Sequence, residues 1–151
     1  MTNLLRFFLV DDDTDDTLIF KEVLQDVNPA IDFKSASDGE EALYILKQSD
    51  AKLPDIIFLD LNMPRMDGKE CLVELKKDAQ LKRIPVVMYT TSSLSKDIEE
   101  TLQKGAVCFI TKPTNLKELK NILLSISQNL NGNLEKSLRS LSNTSSTFIV
   151  C

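Results

Sequence analysis

Short apolar runs alternate with longer amphipathic stretches along most of the chain. Residues 5–10, 31–36, 55–59, 85–89 and 107–110 are rich in β-branched and aromatic side chains and are bounded by polar or turn residues. The middle runs are apolar almost throughout, as strands buried on both faces of a parallel sheet are. Between them, residues 14–27, 39–47, 68–77 and 95–103 show helical spacing. The clearest helix is the last, where Leu116, Leu119, Leu123, Ile126 and Leu130 recur at steps of three and four. Asp38 and Ser95 stand where N-caps are expected. Five strand-then-helix units in succession predict an α/β fold, a doubly wound five-stranded parallel sheet with five helices and right-handed crossovers.

That architecture directs attention to particular residues. In open α/β sheets ligands bind beyond the carboxyl ends of the strands, near the point where strand order reverses. The residues just past the apolar runs are Asp11-Asp12-Asp13, Asp60, Thr90-Thr91 and Lys112-Pro113. With the second run set aside, every run ends in a group suited to phosphate or metal chemistry.

Composition narrows the functions available. The chain has 151 residues with 18 Lys+Arg against 23 Asp+Glu, a net charge of −5, and no histidine. It has no imidazole to act as base, metal ligand or phosphodonor. It offers no basic face for a nucleic-acid backbone, so direct nucleic-acid binding is not expected. Cys71, Cys108 and Cys151 are odd in number and lack a C-x-x-C pairing. They are therefore expected as reduced thiols in a cytoplasmic protein. The run before Asp11 is interrupted by Arg6 and falls far short of the roughly 20 residues of a membrane helix, so no membrane insertion is expected.

Residues 129–151 differ in character, being rich in Ser and Asn. Asn131-Gly132-Asn133 reads as a turn. Leu134, Leu138 and Leu141 allow one short amphipathic helix. The chain is thus expected as a unit over residues 1–128 and an extension over 129–151 that is either disordered or one short helix.

Asp60 follows an apolar strand, where a carboxylate can act as a phosphoryl acceptor. Standing alone it would be a turn or cap residue. Asp11 and Asp12, however, end the first strand and face it. Three carboxylates in one crevice repel one another, and a hard cation such as Mg²⁺ relieves that repulsion using one or two carboxylates, waters and phosphate oxygens. Asp13, Asp15 and Asp16 are expected to serve only the N-terminus of the following helix. Lys112 offers a mobile positive charge and Thr90 a hydroxyl donor. Together these groups meet the needs of phosphoryl transfer, namely positioning and charge neutralisation.

The residues carry a resemblance. Phe8-Leu9-Val10-Asp11-Asp12-Asp13, the run from Asp60-Leu61-Asn62-Met63-Pro64 to Asp67-Gly68, the run from Pro85 to Thr90, and Gly105-Ala106 through Lys112-Pro113 resemble the motifs of receiver domains of two-component response regulators, the single-domain chemotaxis type included. The resemblance spans roughly residues 4–128 and implies the strand order 2-1-3-4-5. It places Asp60 on the phosphoacceptor. Asp11, Asp12, Asp60 and the backbone carbonyl of Asn62 fall on the Mg²⁺ ligands, Thr90 on the switch hydroxyl and Lys112 on the phosphate-binding lysine. Phe109 falls on the aromatic switch, without the hydroxyl that a tyrosine would carry there. Asn62 and Thr91 fall where hydrolysis is tuned.

The resemblance further implies a phosphohistidine-bearing partner, either a histidine kinase or a histidine phosphotransfer protein. Output would run through the face formed by the fourth helix, fifth strand and fifth helix to a downstream protein. The chain would be a monomer or weak homodimer and a self-catalysed phosphoacceptor rather than an enzyme. A phosphorylation-independent scaffold is the alternative. An aspartate-based phosphatase would want a second acid two residues after the nucleophile, where this chain has Asn62. A flavodoxin-like carrier would want a donor-rich first loop in place of an acidic one.

Overall fold

A computed structural model describes residues 4–151, so residues 1–3 of the expected first unit lie outside it. The central five strands are β1 (Arg6–Val10), β2 (Asp32–Ala36), β3 (Ile56–Leu59), β4 (Val86–Thr90) and β5 (Cys108–Thr111). They pair in parallel in the order β2-β1-β3-β4-β5, as expected. Strand periodicity sorts the side chains into two layers. Phe7, Leu9, Ile56, Phe58, Val87 and Tyr89 face one side, while Phe8, Val10, Ile57, Leu59, Val86 and Met88 face the other.

Helices α1 (Thr14–Val27) and α5 (Leu116–Gln128) cover the first layer. Helices α2 (Gly39–Leu46), α3 (Gly68–Lys77) and α4 (Ser95–Gln103) cover the second. Local chemistry starts most of them. Asp13, Asp38, Asp67 and Asn115 each accept the amide three residues on, and Asp67 forms a reciprocal capping box with Glu70. The exception is α4. Ser95 is already inside that helix, and the N-cap is Leu94, without a side-chain bond. Ser92 takes over the ordering of this turn, accepting from the Leu94 amide and donating to Asp97.

The extension beyond residue 128 is neither disordered nor a lone helix. It forms α6 (Leu134–Ser142) and then β6 (Ile149–Val150), which joins β5 antiparallel and makes the sheet six-stranded. Leu134, Leu138 and Ile149 are buried in the same cluster as α1 and α5. Glu118 of α5 accepts hydrogen bonds from the hydroxyls of Ser145, Ser146 and Thr147, which fasten the turn before β6.

The cysteines correct a second expectation. Cys108 and Cys151 are joined in a disulfide, and Cys71 alone is a free, buried thiol. The physical reason is register. Phe109 pairs with Val150 and Ile110 with Ile149, so the next antiparallel step sets Cys108 opposite Cys151. Among the described residues, no helix is long and apolar enough to cross a membrane.

Candidate functional site

Two parallel strand ends deliver the carboxylates. The Asp11 amide donates to the Ala36 carbonyl at 3.0 Å, continuing the β1–β2 ladder by one residue, and the Asp60 amide donates to the Val10 carbonyl at 3.0 Å. Both side chains therefore emerge at one edge of the sheet, and both are buried. Asp11 Oδ1 accepts the Asp13 amide at 2.9 Å, and Asp60 Oδ1 accepts the Leu61 amide at 2.8 Å. Asp12 is exposed beside them. One oxygen from each of Asp11, Asp12 and Asp60 lies within 4.8 Å of the others. An all-oxygen anionic donor set of this spacing suits a hard divalent cation.

Lys112 enters from β5. Its amide donates to the Thr90 carbonyl at 2.7 Å, which fixes the start of the side chain. Its Nζ lies 2.7 Å from Asp11, 2.8 Å from Asp16 and 3.8 Å from Asp60. The ammonium also sits 5.7 Å from the centroid of the Tyr89 ring. Burial disfavours its charge, but the hydrogen bonds to Asp11 and Asp16 together with the charges of Asp11 and Asp60 hold the ammonium above its ordinary range. For Asp11 the balance falls the other way. Burial pushes its carboxyl up to about 6, against the Lys112 and Asp13 hydrogen bonds, and the charge of Asp60 adds to the rise.

The loop after Asp60 folds back tightly. The Gly68 amide donates to the Leu61 carbonyl at 2.8 Å, and a Cβ at position 68 would lie 2.1 Å from the Asp60 carbonyl oxygen. Only glycine permits this approach of α3 to the strand end. Arg65, in the same loop with φ 63°, donates through Nε to Asp38 at 3.0 Å and ties the loop to the start of α2. That pair and the Glu41 amide hold the Asp38 carboxyl below its usual range, the amide being the larger cause.

The structure gathers Asp11, Asp12, Asp60 and Lys112 into one cluster. Thr90, the last residue of β4, is fully buried beside it, and its hydroxyl accepts the Ser92 amide at 3.4 Å. Asn62 and Thr91 are exposed on the flanking loops. Phe109 lies away from the carboxylates, fully buried within β5 and paired with Val150. The residue missed in the sequence is Asp16, expected only to favour the helix N-terminus. It lies in the first turn of α1, three residues after the N-cap Asp13, and its carboxylate accepts the Lys112 ammonium at 2.8 Å. The available signal was its place at the start of the helix that leaves the β1 strand end.

The family model for the response regulator receiver domain matches residues 7–124. The chain belongs to that family. Response regulator Rcp1 of Synechocystis sp. is 36% identical over 122 residues, covering 78% of this chain and 83% of its own. Chemotaxis protein CheY-3 of Vibrio cholerae is 33% identical over 126 residues, covering 83% of this chain and 94% of its own. Among solved structures, the phosphorylated cyanobacterial phytochrome response regulator RcpA superposes with a TM-score of 0.79 at 36% identity, over 87% of this chain and 96% of that one. The Mn²⁺-bound form of Rcp1 gives a TM-score of 0.73 at 34% identity, over 82% and 92%. This receiver domain is thus a module of two-component signalling, with an acidic cluster suited to a divalent metal.

Proposed function

We propose that this receiver domain is a Mg²⁺-dependent phosphoacceptor that takes a phosphoryl group from a phosphohistidine partner onto Asp60. The observation that carries this reading is the clustering of Asp11, Asp12 and Asp60 with the Lys112 ammonium 3.8 Å from the Asp60 carboxylate. In the transfer the phosphorus–nitrogen bond of the donor breaks and a bond from Asp60 Oδ to phosphorus forms. Asp11, Asp12 and Asp60, with the Asn62 carbonyl, would hold Mg²⁺, which would supply charge neutralisation for the phosphoryl oxygens. Lys112 and the Thr90 hydroxyl then bind the oxygens of the new group. Asn62 and Thr91 flank the site and govern the approach of the water that returns Asp60 to its free form.

The chain acts as a phosphoacceptor and not as an enzyme on a separate substrate. The donor is a histidine kinase or histidine phosphotransfer protein, and the chain works in the cytoplasm as a monomer or weak homodimer. Output passes to a protein, not to nucleic acid, through the face of α4, β5 and α5. Thr90 and Phe109 link that face to Asp60, a local charge event biasing a two-state element.

The test is intact mass of the protein incubated with acetyl phosphate and Mg²⁺, beside Asp60→Asn. A labile adduct of about +80 Da, one phosphoryl group, that requires both Mg²⁺ and Asp60 supports the reading. A chain that forms no adduct and shows no beryllofluoride-induced change around Phe109 is a phosphorylation-independent scaffold. That second reading draws on Phe109 being fully buried and paired with Val150 of β6.

A further inference from the structure

The outer edge of β5 would be the open edge of a five-stranded sheet, with unpaired backbone donors and acceptors. Here the chain's own C-terminus takes it. Phe109 and Ile110 pair with Val150 and Ile149, and the Thr111 amide donates to the Phe148 carbonyl at 3.0 Å. The strand also spans both layers of the core. Ile149 and Cys151 pack with the α1–α5 cluster, whereas Val150 packs with the cluster that contains Phe109. A two-residue strand forms few ladder bonds, so its hold depends on what fastens its ends. At one end Glu118 gathers the hydroxyls of Ser145, Ser146 and Thr147. At the other stands the Cys108–Cys151 disulfide.

We propose that the Cys108–Cys151 disulfide is a redox latch, which when closed clamps β6 over the edge of β5 and over Phe109, and when opened by a dithiol reductant releases β6 and exposes that edge. Its two sulfurs differ in access. Cys108 is fully buried, whereas Cys151 is half-buried at the chain end. A reductant thiolate attacks Sγ of Cys151, and Cys108 leaves as thiolate. The reductant's second thiolate then displaces Cys151 and closes the reductant's own disulfide. Two electrons and the two thiol protons of the reductant pass to the two cysteines, which balances the step. Cys71 takes no part, being buried in the other layer with its thiol pushed up to about 12 by burial.

The latch stands independently of phosphoryl transfer, because its test needs neither Mg²⁺ nor phosphate. The experiment compares the full chain with its disulfide closed, the same protein treated with a thioredoxin-class dithiol, and Cys151→Ser, by amide exchange followed with NMR. Reduction and Cys151→Ser are expected to speed exchange of the Thr111 amide at least tenfold, while amides of β1 and β3 keep their protection. Alkylation of the reduced protein is expected at Cys151 well before Cys71. Equal Thr111 exchange in all three samples overturns the proposal. A disulfide that the dithiol cannot open in the folded protein overturns it, as do free thiols at both positions after incubation with a disulfide oxidant. If β1 and β3 lose protection together with Thr111, the bond is a staple of the whole fold and the latch is again overturned.

Discussion

The Lys112 ammonium lies 2.7 Å from Asp11 but 3.8 Å from Asp60, so its nearer partner is Asp11 and not the proposed acceptor. A cation entering between Asp11 and Asp60 meets a positive charge already on one of its ligands. Lys112 thus serves two charge states of one crevice. It offsets carboxylate repulsion in one and would bind phosphoryl oxygens in the other.

Replacing this lysine separates those two roles. Lys112→Met keeps much of the side-chain volume and removes the competing charge. Mg²⁺ binding to the unphosphorylated protein is expected to tighten about tenfold, equivalent to about 1.4 kcal/mol. Acetyl-phosphate adduct formation should fall in the same variant. Titration calorimetry reads the first effect and intact mass the second. Unchanged or weaker Mg²⁺ binding would show that the ammonium does not compete for Asp11.

The raised Asp11 carboxyl gives the metal-free protein a pH signature. Its folded value of about 6 exceeds the ordinary value of 3.8, so the folded state holds the proton to higher pH than the unfolded chain. The resulting stability is fully present below the unfolded value and is lost as pH rises through the folded one. Relative to Asp11→Asn, the protein should lose about 1–3 kcal/mol between about pH 4 and pH 6. Mg²⁺ binds the ionised carboxylate and should oppose that loss. Urea unfolding of both proteins across the range, with and without Mg²⁺, checks the sign. Parallel curves for the two would remove Asp11 as the cause.

Gly68 controls the position of Asp60 without touching its carboxylate. An added methyl would fall 2.1 Å from the Asp60 carbonyl oxygen and 2.8 Å from the Leu61 Cα, both backbone atoms that cannot rotate aside. Gly68→Ala must therefore shift the strand end or the start of α3. The expected cost is about 1–3 kcal/mol, as for other overpacked sites. Adduct formation should drop by more than the unfolded fraction accounts for. Full activity in the folded population would mean that the loop moves and Asp60 does not.

What the sequence disclosed follows from how strong each local signal is. Ile56–Leu59 is apolar at every position, which pointed to a doubly covered strand and put Asp60 at its mouth. The strand-end placement of Asp11, Thr90 and Lys112 came from the same periodicity. β6 was invisible because two residues cannot display a period of two, and its flanks are Thr147-Phe148 and Cys151. The disulfide was hidden with it. Its cysteines are 43 residues apart, and only the β5–β6 register brings them face to face. Ser95 misled for a different reason. A serine before an amphipathic run suits an N-cap, but Ser92 with Asp97 already orders that turn three residues earlier.

The C-terminal extension yields the sharpest stability prediction, because a loose tail and a packed one differ severalfold in the size of the outcome. Leu138 of α6 is completely buried among α5 and sheet residues, whereas Leu124 of α5 is 40% exposed. Leu138→Ala should cost about 2–5 kcal/mol, the transfer and cavity cost of a buried leucine. Leu124→Ala should change stability by about 0.5 kcal/mol or less, as surface substitutions do. Urea unfolding of the disulfide-bonded protein measures both. Were Leu138→Ala as mild as Leu124→Ala, α6 would contribute nothing to the core.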